Sequence, residues 1–215
     1  ISFIAPVRDG RKFLKKNGFQ THQAKSCIIV GGGRAAYYLA KRLIELGISV
    51  QIVENKKERC EELSVLLPQA IIVNGDGTSE ELLNEIGITT TESLVPLTGI
   101  DEENIMLTLY AKEVSNAKVV TKINRITYTG VIDQLDLGSV VYPKYITSEA
   151  IIAFVRSKTA TMNNNIETMI HLFDERVEAI EFVVGDQSPI VNLPLAQLKL
   201  KKNLLVACIN RDGKI

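Results

Sequence analysis

The feature that most constrains the fold is a run of three glycines between an apolar segment and an amphipathic one. Cys27–Val30 is short, apolar and without alternation, which is typical of a parallel strand covered on both faces. Gly31–Gly33 follow directly, and apolar residues then recur at helical spacing before a second apolar strand ends at Glu54. The sequence therefore predicts a strand–turn–helix–strand unit over residues 26–54, with Gly31-x-Gly33-x-x-Ala36 in the turn.

This unit suits the binding of an adenine dinucleotide or another adenine nucleotide. Gly31 permits a tight turn, and Gly33 lacks the Cβ that would keep a pyrophosphate from the backbone. The N-terminus of the helix offers unpaired N–H groups and a partial positive charge to phosphate. Glu54 can accept hydrogen bonds from the ribose hydroxyls and should repel a 2′-phosphate, although Lys56 and Lys57 keep NADP open as a ligand. The alternative is a glycine-rich turn that only packs the helix against the strand.

Strand and helix patterns alternate regularly as far as residue 142. Further strands are predicted at 70–73, 93–97, 118–123 and 139–142, and helices at 56–67, 79–86, 101–115 and 128–135. Six strands joined by helices predict an α/β, Rossmann-like, doubly wound parallel sheet with strand order 3-2-1-4-5-6.

Ligands of such sheets bind beyond the carboxyl ends of the strands, at the point where the strand order reverses. The strand ends therefore supply the candidate binding residues, which are glycines, polar side chains and two cations: Gly31, Gly32, Gly33, Arg34, Ala35, Glu54, Asn55, Asp76, Gly77, Thr78, Thr98, Gly99 and Lys122. Asp76 and Thr78 can reach the adenosine, and Arg34 and Lys122 can neutralise phosphate. Taken singly, each residue is equally compatible with a helix cap or a solvated loop. No catalytic residue and no metal ligand is predicted.

Composition and charge argue against several classes of protein. Lys plus Arg and Asp plus Glu number 25 each, so no basic excess points to nucleic acid. The apolar runs are far shorter than a membrane span, and the first residues lack the order of a signal peptide. Cys27, Cys60 and Cys208 are widely spaced, which predicts reduced thiols in a cytosolic protein. The chain starts without a methionine and stops just beyond a turn, so we expect a piece of a longer polypeptide.

The segments outside residues 26–145 predict a different organisation. Residues 1–25 are expected to be the tail of a preceding module and a linker, with a basic helix over 8–16. Residues 146–175 predict a long helical crossover, with an interrupted helix over 147–173 whose apolar face needs a partner such as a second copy of the chain. Residues 176–215 predict the opening of a small α+β domain, with strands over 177–185 and 204–209 and a turn at 210–213.

Several of these segments together resemble the RCK_N (KTN) domain of potassium transport regulators: residues 31–40, Glu54, 74–78, 97–104 and 142–144. Residues from 186 onward resemble the RCK_C domain that follows it, and residues 1–18 resemble the tail of a preceding RCK_C domain. A tandem arrangement of this kind resembles the TrkA-type regulatory subunits of Trk potassium uptake systems, of which this chain would be the second module.

The resemblance implies a non-enzymatic, cytoplasmic subunit, peripheral on the inner face of the cell membrane. Such a subunit would gate a TrkH-type potassium-translocating membrane subunit in response to NAD(H), ATP or ADP, and would form homodimers or higher homo-oligomers through the helices after strand six. The alternative function is that of an NAD-dependent oxidoreductase. The positions of His22 and His171 argue against it, because both are badly placed for acid–base work at the nicotinamide. A third possibility is an effector such as a cyclic dinucleotide, bound by the C-terminal piece.

Overall fold

The computed structural model describes residues 7–18, 23–125, 129–132, 134–160, 166–172, 177–198, 201–207, 209 and 211. The chain divides into two compact units, Ile1–Ile146 and Thr147–Ile215. The first unit contains α1 (Val7–Lys16), β1 (Ser26–Val30), α2 (Arg34–Glu45), β2 (Ser49–Glu54), α3 (Lys57–Leu66), β3 (Ile71–Asn74), α4 (Glu80–Glu85), β4 (Ser93–Pro96), α5 (Asp101–Val114), β5 (Lys118–Lys122), α6 (Thr129–Ile132) and β6 (Ser139–Val141). A longer helix, α7 (Pro143–Ala160), runs from the first unit into the second.

The six strands form one sheet in the order β3-β2-β1-β4-β5-β6, and all neighbours in it are parallel. The central strand β1 pairs with both β2 and β4, so that Ile29 lies opposite Ile52 on one side and Val95 on the other. The strand order therefore reverses between β1 and β4, which opens a crevice at their carboxyl ends. The predicted α/β, doubly wound, Rossmann-like sheet and its strand order are confirmed.

Both faces of the sheet are covered, which explains the unbroken apolar run of β1. Cys27 and Ile29 pack on one face against the apolar sides of α2 and α3, with Ala36, Ala40 and Leu63. Ile28 and Val30 point to the opposite face, as alternation along a strand requires, and pack with residues of α4 and α5: Leu83, Leu107 and Ala111. All four residues of β1 from Cys27 to Val30 are at most 2% exposed.

Two helix ends follow local sequence signals. Gly47 has φ 76° just after α2, and the N–H of the next residue, Ile48, donates to the Leu43 carbonyl at 3.0 Å. This left-handed residue ends the helix, and glycine occupies it without steric cost. At the start of α4, the Ser79 hydroxyl accepts the N–H of Leu82 at 3.3 Å and so caps the helix.

The second unit departs from two expectations. Residues 166–172 are not helical: β7 (Ile166–Leu172) pairs in antiparallel register with β8 (Val177–Phe182). The predicted helix over 147–173 is therefore wrong over residues 166–172, and His171 belongs to a strand. A short apolar run fits both the helical and the strand periodicity, and the pairing of residues 166–172 with β8 favours the strand.

The second departure is at residues 204–207, where the predicted strand is absent from the described residues. Leu204, Leu205 and Val206 are between 44% and 87% exposed. A strand requires a neighbour to pair with, and apolar composition alone does not supply one. A short 3₁₀ helix, Leu195–Gln197, precedes this segment.

Some expectations lie wholly or partly outside the described residues: the linker histidine His22, Cys208, the helix interruption at 162–165 and the turn at 210–213. Cys27 and Cys60 are described; both are free and buried. Burial raises the pKa of each of these two thiols, which keeps them protonated. No helix in the described part of the chain combines the length and apolarity needed to cross a bilayer.

Candidate functional site

A cleft of about 680 Å³ lies at the carboxyl ends of the central strands. Its volume falls within the range of about 300–1,000 Å³ that is usual for small-molecule sites. The lining combines the glycine turn with strand ends and the first residues of two helices: Val30, Gly31, Gly32, Gly33, Val53, Glu54, Asn55, Lys56, Arg59, Asp76, Gly77, Thr78, Leu97, Thr98, Gly99, Ile100, Glu103 and Lys122. The cleft thus occupies the crevice that the reversal of strand order creates.

The glycine turn is fixed by contacts with both neighbouring strands. Gly31 has φ 99°, and a Cβ there would lie 3.0 Å from the carbonyl carbon and oxygen of Leu97. Its N–H donates to the Val53 carbonyl at 2.8 Å, which continues the pairing of β1 with β2. Gly33 is the N-cap of α2 and has no side chain to accept the N–H groups of the first turn. The turn therefore presents an uncapped helix N-terminus at the cleft.

Glu54 ends β2 with its carboxylate turned toward the glycine turn. One oxygen, Oε2, accepts the N–H of Gly32 at 2.7 Å, and Oε1 accepts the N–H of Lys56 at 2.8 Å. An ionised carboxylate has about four lone-pair sites, so these two bonds leave capacity for the hydroxyls of a ribose. The backbone N–H groups of Gly32 and Lys56 therefore hold the Glu54 carboxylate in position.

Arg59 lies in the cleft although sequence reasoning missed it. Its Nε donates to the Gly32 carbonyl at 2.7 Å, and one terminal nitrogen pairs with Glu62 at 2.6 Å. Arg59 does not stand at a strand end, since it belongs to the first turn of α3. Side chains in a helix lean toward its N-terminus, and this direction was the signal that could have found it. The other lining residues that were missed are Val30, Val53, Lys56, Leu97, Ile100 and Glu103.

The loop after β3 forms one wall of the cleft. The Asp76 carboxylate accepts both the N–H of Thr78 at 2.8 Å and its hydroxyl at 2.7 Å. These two hydrogen bonds stabilise the charged form and lower the pKa of Asp76. Before the loop, the Asn74 amide donates to the carbonyls of Glu54 and Asn55 at 3.0 and 3.2 Å, which ties the ends of β2 and β3 together.

The opposite wall is held by a buried amide. Asn104 in α5 is 0% exposed, and its Oδ1 accepts both the N–H and the hydroxyl of Thr98 at 2.9 Å. Its Nδ2 donates to the carbonyls of Thr98 and Lys122 at 3.3 and 3.0 Å. One fully bonded side chain therefore joins the loop after β4 to the end of β5.

Lys122 supplies a half-buried cation at the end of β5. Its Nζ donates to the Leu97 carbonyl at 3.1 Å. Burial lowers the pKa of Lys122, and the negative charge of Asp101 offsets part of that effect. Asp101 is itself held by the backbone N–H groups of Asn124 and Arg125, each at 2.9 Å.

The structure brings most of the sequence-predicted residues together. Eleven of them line the cleft: Gly31, Gly32, Gly33, Glu54, Asn55, Asp76, Gly77, Thr78, Thr98, Gly99 and Lys122. Arg34 and Ala35 are not part of the lining, and both are exposed on the first turn of α2. Their backbone nevertheless belongs to the helix N-terminus that follows the glycine turn.

Solved structures with the same fold include two that cover between 63% and 71% of this chain. The TrkA-N domain of the inner membrane protein ybaL from Escherichia coli superposes with a TM-score of 0.55 at 15% identity, over 63% of this chain and 99% of that chain. The GsuK channel superposes with a TM-score of 0.54 at 19% identity, over 71% of this chain and 27% of that chain. At these identities the likeness shows a shared fold.

Curated relatives are similar over most of the chain. The Trk system potassium uptake protein TrkA homolog 2 of Methanosarcina mazei is 29% identical over 87% of this chain and 41% of its own length. The Trk system potassium uptake protein TrkA of Haemophilus influenzae is 30% identical over 89% of this chain and 41% of its own length. The protein of the same name from Vibrio alginolyticus is 30% identical over 100% of this chain and 46% of its own length. The chain thus spans less than half the length of these relatives.

The family profile of the TrkA-N domain matches residues 27–143, which is more than half of the chain and includes every residue of the cleft lining. The matched range begins in β1 and ends at the start of α7, so it coincides with the six-stranded sheet and its helices. The chain therefore belongs to the TrkA-N domain family.

Proposed function

We propose that the cleft binds an adenine nucleotide, with NAD(H) as the principal ligand and ATP or ADP as alternatives. One observation carries the proposal: an uncapped helix N-terminus at a glycine turn and a strand-end carboxylate face the same cleft. The first suits phosphate and the second suits the hydroxyls of a ribose. A glycine turn that only packed α2 against β1 would not require the Glu54 carboxylate to contact it.

The lining suggests how the parts of the ligand are held. The diphosphate lies against Gly33 and the first turn of α2, where N–H groups and the helix dipole favour negative charge. The adenosine ribose lies on Glu54, and its adenine lies toward Asp76 and Thr78. Lys122 adds positive charge on the far wall of the cleft. A 2′-phosphate would meet the Glu54 carboxylate, so NADP(H) binds less tightly than NAD(H).

In the cell, we propose a regulatory role in potassium uptake for the longer protein of which this chain is a module. The support is the name shared by the curated relatives, Trk system potassium uptake protein TrkA. Occupancy of the cleft would bias a TrkH-type membrane subunit, with the chain on the cytoplasmic side of the membrane. Such coupling is typically worth about 1–3 kcal/mol, because a ligand shifts an equilibrium only by its differential affinity for the two states.

We further propose that two copies associate through α7. Ile146, Ile151 and Ile152 on this helix are 55%, 57% and 40% exposed. Apolar side chains concentrated on one helix favour burial against a second copy. The domain arrangement expected from the sequence fits this role, with a nucleotide-binding domain over 26–145, a dimerising segment after it and an RCK_C-like domain beginning near residue 176.

The proposed nucleotide is tested by denaturing purified protein and identifying released adenine compounds by mass spectrometry. Titration with NADH, ADP, ATP and NADPH by calorimetry then ranks the affinities, and we expect NADH to bind more tightly than NADPH. Folded protein that gives no binding heat with any of the four would contradict the proposal. A hydride-transfer assay with bound NADH and small carbonyl compounds tests the oxidoreductase alternative, and turnover above background would favour it over a regulatory role.

A further inference from the structure

The peptide groups around Gly32 are held from two sides by side chains of different elements. The N–H of Gly32 donates to Glu54 Oε2 at 2.7 Å, and the carbonyl of Gly32 accepts Arg59 Nε–H at 2.7 Å. Glu54 ends β2, and Arg59 belongs to the first turn of α3. We call this arrangement of Glu54, Gly32 and Arg59 the glycine clamp.

The clamp determines where the next backbone N–H points. A trans peptide group is planar, and its carbonyl and N–H point in opposite directions. The Gly32 carbonyl and the Gly33 N–H belong to one such group, so holding the carbonyl on Arg59 turns the Gly33 N–H to the opposite side. Gly33 lines the cleft and precedes the first turn of α2.

The turn needs this restraint because its own sequence does not provide it. Three consecutive glycines have the widest choice of backbone conformations of any tripeptide. A Cβ placed on Gly33 would meet no atom within 4 Å, so packing does not fix the peptide on that side. Without the contact from Arg59, the Gly32–Gly33 peptide would have to be ordered when the ligand binds, and that ordering would reduce affinity.

Arg59 is also unusually constrained for a helical arginine. Its Nε and one terminal nitrogen make separate contacts, with Gly32 and Glu62, and its side chain is 23% exposed. Arg42 on α2 makes the same i,i+3 ion pair, with Glu45 at 2.7 Å, but its side chain is 72% exposed. Arg42 therefore provides a matched control for the ion pair without the glycine contact.

We infer that Arg59 is a positioning residue of the cleft: its Nε–H fixes the Gly32 carbonyl and thereby preorganises the Gly33 N–H for the phosphates of the bound nucleotide. This inference rests on the nucleotide binding proposed above. The role belongs to one hydrogen bond and is distinct from attraction between the guanidinium charge and the ligand.

Three substitutions separate the hydrogen bond from the charge. Arg59→Gln places an amide N–H donor at the same position along the side chain as Nε and removes the charge. Arg59→Lys keeps the charge and places a methylene group at that position, and Arg59→Met removes both. We expect the NADH dissociation constant of Arg59→Gln to stay within about twofold of the wild type, whereas Lys and Met weaken binding about tenfold, equivalent to about 1.4 kcal/mol.

Two controls accompany the NADH titrations of the full chain. Arg42→Met should leave NADH affinity unchanged, because its ion pair lies outside the cleft lining. The dissociation constant of adenosine, which has no phosphate, should be the same for the wild type and Arg59→Met when it is obtained from competition with NADH. All titrations are made at a temperature at which circular dichroism shows every variant to be folded.

The outcomes distinguish the inference from the function on which it rests. Wild-type affinity in Arg59→Lys with weak binding by Arg59→Gln would show that charge alone acts, and this would overturn the positioning role. The positioning role would also be overturned by equal NADH affinities in all variants or by equal weakening in all three Arg59 variants. A loss of adenosine affinity in Arg59→Met as large as its loss of NADH affinity would overturn it too. Absence of NADH binding by the wild type would overturn the proposed function itself.

Discussion

Three adjacent glycines in the turn have three different physical roles. Gly31 needs a positive φ, and its missing Cβ avoids the Leu97 carbonyl. At Gly32 a Cβ would lie 2.8 Å from Leu63 Cδ1 and 3.0 Å from the Glu54 Cβ, so the absence of a side chain permits close packing of α3. Gly33 has φ −67° and open space around a Cβ, so neither its backbone conformation nor contacts within the chain require glycine there.

These differences predict opposite phenotypes for neighbouring substitutions. Gly32→Ala should lower the free energy of unfolding by about 1–3 kcal/mol, because the new methyl group overpacks against the buried Leu63. Gly33→Val should lower the unfolding free energy by no more than about 1 kcal/mol, because valine is a poorer N-cap than glycine, and should abolish NADH binding by blocking the phosphates. Urea denaturation and NADH titration measure the two effects, and normal binding by Gly33→Val would show that the turn only packs.

A second residue-scale prediction concerns the ribose. Glu54→Gln should weaken NADH binding by about 1–2 kcal/mol, because a charge-assisted hydrogen bond to the ribose becomes a neutral one. The same change should raise NADPH affinity relative to NADH, because the repulsion of a 2′-phosphate is removed. Glu58→Gln, an exposed residue of the same segment, is the control. An unchanged preference for NADH over NADPH would remove Glu54 from the ribose site.

The positive charge of Lys122 should favour nucleotide binding but lower the stability of the folded state. Its pKa is lowered by burial, so the folded state disfavours the charged form. Between the lowered pKa and the ordinary value of 10.5, the unfolded chain binds more protons than the folded one, and stability therefore rises with pH in that window. Lys122→Met should remove this rise, increase the melting temperature at neutral pH and weaken NADH binding. Melts by circular dichroism between neutral and alkaline pH test this, with the exposed Lys41→Met as control; a lower melting temperature at neutral pH would contradict it.

At the scale of elements, the cleft depends on how β4, α5 and β5 are tied together. Asn104 makes this connection through four hydrogen bonds to Thr98 and the Lys122 carbonyl. The amide is wholly buried, so water does not reach its Oδ1 and Nδ2 atoms, and these hydrogen bonds satisfy both of them. The loop carrying Thr98 is thus positioned by a residue that does not itself line the cleft.

Asn104→Ala should lower the free energy of unfolding by about 2–3 kcal/mol, because polar groups of Thr98 and Lys122 lose their partners and a space is left where the buried amide was. Asn84→Ala is a suitable control, since Asn84 is exposed and its side-chain amide donates to the Tyr110 hydroxyl at 3.2 Å. The control should change stability by less than about 0.5 kcal/mol. Equal chemical denaturation curves for the two variants would contradict the structural role of Asn104.

Elements with a repeated pattern could be predicted from the sequence, and isolated ones could not. The six strands of the sheet follow from short apolar runs separated by helical periods, and their order follows from the rules of parallel connections. Residues 166–172 gave no such regularity, since apolar residues at 169, 170 and 172 fit a helix as well as a strand. Only the partner strand β8 made the extended conformation favourable.

At the scale of the whole molecule, every residue that lines the cleft belongs to the first unit. Ligand binding should therefore stabilise that unit selectively. NADH at about 100 times its dissociation constant should add about 2.7 kcal/mol to the unfolding free energy of the first unit.

Hydrogen exchange with mass spectrometry measures this effect segment by segment. With NADH, amides of β1 and β4 should exchange more slowly, and those of β8 should exchange at the ligand-free rate. The matched control replaces NADH by adenosine at the same concentration, which should give weaker protection. Equal slowing in β1 and β8 would contradict binding confined to the first unit.

The sequence by itself determined the sheet, its strand order and the set of strand ends that meet at one edge, because these depend on local periodicity and on the chirality of chain connections. It also predicted that Glu54 and the glycine turn meet at this edge, since both stand at the carboxyl ends of neighbouring strands, and both line the cleft. Only the tertiary structure decided that Arg59 reaches the Gly32 carbonyl, that Arg34 and Ala35 lie outside the lining, and that residues 166–172 are extended. Each of these depends on contacts between residues from different elements or on the direction of a side chain, and periodicity along the chain carries no information about either.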